Sequence, residues 1–187
     1  MCENVRGKND NELLVTRPDQ FKKAINVIHV YGQQECRIGK EGTERHWNEI
    51  LDVINKVEAR NELLLLIEDF NRHLPNVPSE NSRSSYGGEL IDELLQSGKY
   101  VLINKTDKVI GGPWTRLDPA TGTKSVLHLV ITSSELVKHV DSLEIDNKRR
   151  FTTFKKKGKT LSFPDHYGIV VKFSGIPRKR LENKKKE

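Results

Sequence analysis

Polar side chains that could take part in chemistry stand next to three apolar segments of this sequence. They are Tyr31, Asp69, Asn71, Asp165 and His166. A carboxylate and an amide two positions apart after a buried strand can share one cleft, where one holds a cation or water and the other a phosphate oxygen. An Asp-His pair adds a hydrogen-bond acceptor next to a group that titrates near neutral pH. The ends of these segments are therefore candidate sites.

Each of these signals also has a purely structural interpretation. An Asp-x-Asn sequence after a strand forms an Asx turn more often than a site, because such turns are common. A lone Asp-His before a strand is usually structural, and Tyr31 alone could be an aromatic residue at the edge of the core. The order of the signals along the chain therefore carries more weight than any one of them.

The hydrophobic pattern predicts the elements that must position these residues. The predicted strands are 25–31, 63–67, 100–104, 126–131 and 169–173, with a basic hairpin over 151–163. The predicted helices are 43–59, 89–96 and 134–140, with Thr43 and Ser134 as N-caps and Gly98 just past the second helix. Segment 1–11 is polar and is expected to be frayed. Strands that alternate with helices predict an α/β fold.

Basic residues are concentrated in two segments of this chain, whose formal net charge is +6. Segment 147–160 holds seven Lys/Arg and no acidic residue, and segment 172–187 holds seven Lys/Arg against two Glu. Such segments can contact the phosphate backbone of a nucleic acid. They can also be a solvated hairpin and a solubilising tail, and charge patterning alone leaves both interpretations open.

Composition excludes several other classes of protein. The longest apolar run, residues 63–67, is far shorter than the roughly 20 residues that span a bilayer. The first residues lack the apolar core of a signal peptide. Two cysteines are too few for a disulfide framework or a zinc cluster. We therefore expect a nuclear or cytoplasmic protein without a membrane partner.

Five segments, in order, resemble motifs of the endonuclease/exonuclease/phosphatase superfamily. They are INVIHVYGQQE (25–35), LLLLIEDFN (63–71), GGPWTR (111–116), SVLHLV (125–130) and FPDHY (163–167). Their details are most similar to the endonuclease domains that retroelements carry with a reverse transcriptase. The resemblance implies part of a two-sheet β-sandwich flanked by helices. It covers residues 25–176, between an N-terminal segment 1–24, partly disordered, and a basic tail 177–187.

The resemblance also implies an activity and residue roles. Family members hydrolyse phosphodiesters with one or two Mg²⁺ ions. By resemblance, Asp69 would position or deprotonate the attacking water, Asn71 would hold the scissile phosphate, and His166 would hydrogen-bond a phosphoryl oxygen. Asp165 would bind the metal or help orient the site, Asp69 would contribute to metal binding, and Tyr31 would contact the phosphate. DNA is the expected partner, with Lys155, Lys156, Lys157 and Arg116 as candidate contacts.

The sequence departs from the family pattern at several positions. His128 stands where the family has the aspartate that orients the catalytic histidine, Glu68 replaces glycine, and Pro164 replaces Ser or Thr. The early asparagine and metal-binding glutamate of the family have no counterpart, since neither Glu12 nor Glu35 stands at the family position. His128 can equally be a structural histidine in a strand. We therefore expect a truncated and impaired copy.

Three hypotheses follow from these matches and departures. The chain is a divergent, metal-dependent DNA endonuclease, a catalytically inactive nucleic-acid-binding module, or a retroelement fragment without retained activity. Loss of the family's first half would leave one sheet partly uncovered, which also predicts self-association through that sheet.

Overall fold

The computed structural model describes residues 2–6, 12–16, 18, 21–80, 84–150, 153–156, 159–162 and 165–179. The strands are β1 (Cys2–Arg6), β2 (Glu12–Thr16), β3 (Ile25–Val30), β4 (Leu63–Asp69), β5 (Tyr100–Leu102), β6 (Val109–Ile110), β7 (Arg116–Leu117), β8 (Lys124–Ser125), β9 (His128–Ser133), β10 (Val140–Ile145), β11 (Thr153–Lys156), β12 (Lys159–Ser162) and β13 (Ile169–Phe173). The helices are α1 (Glu35–Ala59), α2 (Tyr86–Gln96) and α3 (Ser134–Val137), with a 3₁₀ turn at Ile103–Lys105.

The main sheet has the strand order β1-β2-β3-β4-β9-β5 in the described part of the chain. β3 and β4 are parallel and are joined by α1, whereas β9 runs antiparallel to β4. A smaller sheet within the same described ranges has the order β13-β10-β6. The predicted α/β sandwich of two sheets with helices is thus confirmed.

β4 lies at the centre of this sandwich because its side chains alternate between two cores. Leu64 and Leu66 pack into a cluster that includes α1 residues such as Ile50. Leu63 and Leu65 pack into the cluster that includes residues of the smaller sheet. A strand buried on both faces needs an uninterrupted apolar sequence, which explains the run of leucines.

The beginning of α1 differs from the prediction. The helix starts at Glu35 and is interrupted at Gly39, where φ is 65° and ψ is −174°. Thr43 is therefore not the N-cap, and its hydroxyl instead donates a hydrogen bond to the backbone oxygen of Gly39 at 2.8 Å. The first turns lack a continuous apolar face, so helical periodicity becomes visible only after the interruption.

Two other predictions about the elements are wrong. α3 ends at Val137 with Ser133 as its N-cap, and Val140 begins β10, which pairs with β13 and β6. β1 forms within the segment for which no strand was expected, and it pairs with β2. In β10, pairing with distant segments outweighs a weak local pattern, whereas β1 pairs with the next strand along the chain.

The basic hairpin is confirmed, since β11 and β12 pair antiparallel. Lys157 and Pro164 lie outside the described residues, as do positions 180–187 of the predicted tail. No helix in the described ranges is long and apolar enough to cross a membrane.

Candidate active site at the ends of β3 and β4

The carboxyl ends of β3 and β4 meet at one edge of the main sheet, because these strands are parallel neighbours. The N–H of Gly32 donates a hydrogen bond to the backbone oxygen of Asp69 at 2.8 Å. A Cβ atom on residue 32 would lie 2.1 Å from the backbone oxygen of Phe70, so glycine alone permits this close approach. Tyr31 and Asp69 consequently line the same cleft.

Asp69 and Asn71 form a turn as well as a polar pair. One carboxylate oxygen of Asp69, Oδ1, accepts the backbone N–H of Asn71 at 3.0 Å. Asn71 has a φ of 49°, a conformation that asparagine tolerates, and its Nδ2 donates to the backbone oxygen of Gly32 at 2.7 Å. The structural interpretation is therefore correct for one oxygen of Asp69. The other oxygen faces His166.

The segment that carries Asp165 and His166 is held against β7. Leu117 donates its N–H to the backbone oxygen of Asp165 at 2.7 Å, and Tyr167 donates to that of Thr115 at 2.8 Å. This pairing places Nδ1 of His166 3.7 Å from Oδ2 of Asp69 and Nε2 of His166 3.6 Å from Oδ2 of Asp165. The two carboxylates thus face different nitrogens of one imidazole ring.

His128 stands opposite Asp69 in the register of β4 and β9. Its Nε2 lies 2.8 Å from Nδ1 of His166, and the two rings stack with centroids 4.9 Å apart. Burial, together with the adjacent His166, lowers the pKa of His128 from 6.5 to about 4. His128 is therefore neutral at physiological pH and lies where the sequence predicted it, next to His166.

Burial also affects the carboxylate of Asp69. It raises the pKa of Asp69 above its usual 3.8, whereas His166, the Asn71 N–H and Arg116 act in the opposite direction. The net direction is upward, because the desolvation of this side chain is the largest of these effects. Asp69 is thus a stronger base than a solvent-exposed aspartate.

Arg116 supplies positive charge beside Asp165. Its Nε lies 3.7 Å from Oδ2 of Asp165, and its NH2 group lies 3.6 Å from Oδ2 of Asp118. The arginine is only partly exposed and lines a hollow that also contains Asn71 and His166. It could therefore meet a phosphate that enters this region.

The site opens into a cleft of about 540 Å³. Its lining residues are Tyr31, Gly32, Gln33, Gln34, Arg37, Asp69, Asn71, Asp165 and His166. Tyr31 is 54% exposed, so its hydroxyl is accessible to a ligand. All five residues that the sequence singled out as catalytic candidates are brought together here.

Two positioning residues were missed by the sequence analysis. Arg72 is 4% exposed, and its guanidinium donates to the backbone oxygens of Gln33 and Asn71. Glu35 accepts the N–H of Gly87 at 3.1 Å, and a Cβ at residue 87 would lie 2.2 Å from Nε of Arg72. A charged residue directly after the Asp-Phe-Asn sequence was the available signal, but its buried partners come from distant segments.

The described residues contain one group of side chains that could hold a metal ion. Asp69, His128 and His166 each offer a ligand atom, and these atoms lie within 4.8 Å of one another. Mg²⁺ prefers oxygen ligands, whereas two of these three donors are imidazole nitrogens. The predicted oxygen ligand Asp165 faces Nε2 of His166, on the other side of that ring from Asp69. This donor set is poorly suited to Mg²⁺.

For the basic hairpin, the structure describes the pairing of the two strands. Lys155 and Lys156 lie in β11, opposite Thr160 and Lys159 of β12. Their predicted contact with nucleic acid remains a prediction.

Several solved structures share this fold. The endonuclease domain of TRAS1, a telomere-specific non-LTR retrotransposon, matches with a TM-score of 0.62 and 14% identity over 92% of this chain and 68% of that domain. The 3′ phosphatase NExo from Neisseria, bound to a product DNA hairpin, matches with a TM-score of 0.68 and 13% identity over 93% of this chain and 70% of that protein. No family model and no curated protein matches the sequence.

A third structure carries the superfamily name itself. It is an endonuclease/exonuclease/phosphatase family protein from Leptotrichia buccalis, with a TM-score of 0.57 and 17% identity over 91% of this chain and 56% of that protein. This chain thus spans 56–70% of the length of these three structures. Its two sheets and its helices have a fold similar to that of these endonuclease/exonuclease/phosphatase proteins.

Proposed function

We propose that this chain is a divergent phosphodiesterase domain of retroelement type that binds DNA in the Asp69–His166 cleft and cleaves it slowly. The supporting observation is the 3.7 Å separation between Oδ2 of Asp69 and Nδ1 of His166 at a cleft that also contains Tyr31 and Asn71. A partly buried carboxylate beside an imidazole is suited to moving a proton near a phosphate. The order of the five sequence motifs supports the same assignment.

Asp69 is the proposed base. Its carboxylate is held in place because Oδ1 accepts the N–H of Asn71, which leaves Oδ2 directed toward His166 and the cleft. Its raised pKa improves its ability to accept a proton from water.

Asn71, Tyr31 and Arg116 are the proposed phosphate-binding residues. The Asn71 amide uses one N–H for the backbone oxygen of Gly32, and a second N–H remains for a phosphate oxygen. The exposed Tyr31 hydroxyl adds a hydrogen-bond donor to the cleft. The Arg116 guanidinium, which lines the hollow beside Asn71 and His166, adds donors together with a positive charge.

His166 is proposed to donate a hydrogen bond to a phosphoryl oxygen. A donor of this kind is most effective when the charge that develops on the imidazole is stabilised by an adjacent carboxylate. Here the partner within hydrogen-bond distance is the neutral ring of His128, at 2.8 Å, whereas the carboxylates of Asp69 and Asp165 lie farther from the ring nitrogens, at 3.7 and 3.6 Å. A neutral imidazole supplies no compensating negative charge, which is the physical reason for proposing slow cleavage.

Nicking of supercoiled plasmid DNA tests the proposal. We expect slow nicking by the unaltered chain and none by Asp69→Ala or Asp69→Asn, since neither variant has a carboxylate base. Asp92→Ala, in α2 and outside the residues that line the cleft, is the matched control and should nick at the unaltered rate. Equal nicking by the Asp69 variants and the unaltered chain would contradict the assignment.

A nucleic-acid-binding module without cleavage is the second candidate. The His128–His166 contact favours it, because it occupies a nitrogen of the residue on which cleavage would depend. The basic segments supply the charge for such binding. Salt-sensitive DNA binding together with a complete absence of nicking, also after His128→Asp, would favour this candidate over the first.

A further inference from the structure

We propose that Asp69, His128 and His166 form a site for a nitrogen-preferring transition-metal ion, with Zn²⁺ as the best-suited ion. The proposal concerns the same cleft as the proposed function. Metal binding can be measured without DNA, however, so it can succeed or fail independently of the nicking assay.

The three donor atoms lie within 4.8 Å of one another beside the cleft. Nδ1 of His166 lies 2.8 Å from Nε2 of His128 and 3.7 Å from Oδ2 of Asp69. Around a tetrahedral Zn²⁺ with bonds of about 2.0 Å, neighbouring donors lie about 3.3 Å apart. The two observed separations fall on either side of this value, so shifts of a few tenths of an ångström bring these donor pairs to the required spacing.

The chemistry of the donors selects the kind of ion. Imidazole nitrogen suits Zn²⁺, Cu²⁺ and Ni²⁺, whereas Mg²⁺ keeps to carboxylates, carbonyls and water. His128 is decisive for this selection, because it adds the second nitrogen donor to the site. Three protein ligands beside an open cleft leave a fourth position for water, as in catalytic zinc sites.

The ligand atoms that face away from the proposed ion already have polar neighbours. Nε2 of His166, the nitrogen away from the proposed ion, faces Oδ2 of Asp165 at 3.6 Å. Oδ1 of Asp69 accepts the N–H of Asn71. Metal-binding histidines almost always have such a carboxylate or carbonyl partner, which fixes the orientation of the ring.

Direct metal titration tests the proposal. Zn²⁺ alone is titrated into the full chain in competition with a chromophoric chelator, and Mg²⁺ is titrated separately by calorimetry. We expect one Zn²⁺ per chain, bound far more tightly than Mg²⁺. His128→Gln and His166→Gln should each weaken Zn²⁺ binding by about 100-fold or more, since even outer-shell partners are worth roughly 10–100-fold.

A surface histidine provides the matched control. His139 lies between α3 and β10, where Nδ1 contacts the backbone oxygen of Ser174 at 3.2 Å. His139→Gln removes one imidazole, as the site variants do, and should leave Zn²⁺ affinity unchanged. An equal loss in all three variants, or no loss in His128→Gln and His166→Gln, would overturn the proposal.

Spectroscopy of the unaltered chain tests the metal site even if one of the variants does not fold. Co²⁺ in place of Zn²⁺ should give the visible absorption bands of tetrahedral coordination in the unaltered chain. The imidazole signals of His128 and His166, and of no other histidine, should shift in NMR spectra when Zn²⁺ is added. A shift confined to other histidines would place the ion elsewhere and reject the site.

Discussion

The hydroxyl oxygen of Thr115 accepts the backbone N–H of His128 at 3.0 Å. The same oxygen accepts the N–H of Leu127 at 2.8 Å, and Thr115 is completely buried. One side chain therefore satisfies both donors at the point where the chain enters β9.

We expect Thr115→Val to lower the free energy of unfolding by about 2 kcal/mol or more, because each buried N–H left without an acceptor costs roughly 1–3 kcal/mol. Urea unfolding measures the change. Thr115→Ser keeps the hydroxyl and should cost clearly less. If both variants lose the same stability, the methyl group rather than the hydroxyl matters, and the two hydrogen bonds contribute little.

A carboxylate at position 128 should accelerate DNA cleavage. His128→Asp places a negative charge beside His166, where it can stabilise the positively charged imidazole. We expect plasmid nicking to rise by about 10-fold or more, a part of the roughly 10²–10⁴-fold that general acid–base catalysis contributes. His128→Asn is close to the same shape without the charge and should bring no such gain. An equal gain in both variants would point to removal of the bulky ring instead.

Glu68 should tolerate glycine better than alanine. Its φ of 107° belongs to backbone conformations that favour glycine, and a side chain held there costs roughly 1–3 kcal/mol. Both Glu68→Gly and Glu68→Ala remove the contact between Glu68 and His29, so this loss cancels in the comparison.

At most positions within a helix or strand, a glycine variant is less stable than the alanine variant by roughly 0.5–1 kcal/mol. We therefore expect the reversed order at residue 68, with the glycine variant more stable in thermal or urea unfolding. The usual order would mean that Glu68 adopts an unstrained backbone.

Acid should destabilise the fold through His46. This histidine is buried, neither ring nitrogen has a hydrogen-bond partner within the described residues, and burial lowers its pKa from 6.5 to about 4. The unfolded chain therefore binds more protons between these values, so stability is full above pH 6.5 and falls as the pH decreases toward 4. We expect this residue to account for a loss of roughly 1–2 kcal/mol between pH 6.5 and 5.

His46→Leu isolates this effect, because the other histidines are common to both proteins. The difference in unfolding free energy between the two should shrink or change in favour of the variant as the pH falls. His139→Leu serves as a control, since His139 lies outside the buried core. A pH dependence that is identical in His46→Leu and the unaltered chain would refute the prediction.

DNA binding should depend on the lysines of the hairpin. Replacing Lys155, Lys156 and Lys157 with Ala should flatten the plot of log affinity against log salt by up to ~3 units, about one for each lost phosphate contact. Fluorescence anisotropy over a salt series measures the slope. Replacing Lys40, Lys56 and Lys138 instead removes the same charge from outside the hairpin. If the two triple variants have equal slopes, net charge rather than the hairpin determines binding.

Sequence reasoning succeeded where the signal was local. The leucines of β4 predict a strand buried on both faces, and Asp69 directly follows that apolar run. Assigning the motifs to one family fold also predicted that His128 lies beside His166. Strand pairing determines which residues are neighbours in a sheet, and here it places His128 opposite Asp69.

The features that were missed depend on distant contacts. In β10, Val140 and Leu143 are three positions apart, a spacing that favours a helix, and pairing with β13 and β6 makes the segment a strand. Arg72 can be buried because the backbone oxygens of Gln33 and Asn71 accept hydrogen bonds from its guanidinium. The sequence around Arg72 does not indicate these contacts. The backbone strain at Glu68 is likewise a property of the assembled sheet.

The contact between Asp69 and His166 has a consequence for synthesis of the protein. The N-terminal part of a chain is made first, so β3, α1 and β4 leave the ribosome before the segment that carries His166. His166 and its supporting bridge to Arg116 come from much later in the chain. A nascent chain therefore carries the carboxylate long before it carries the imidazole. Under the proposed function, DNA cleavage therefore cannot begin before the segment that carries His166 has been synthesised.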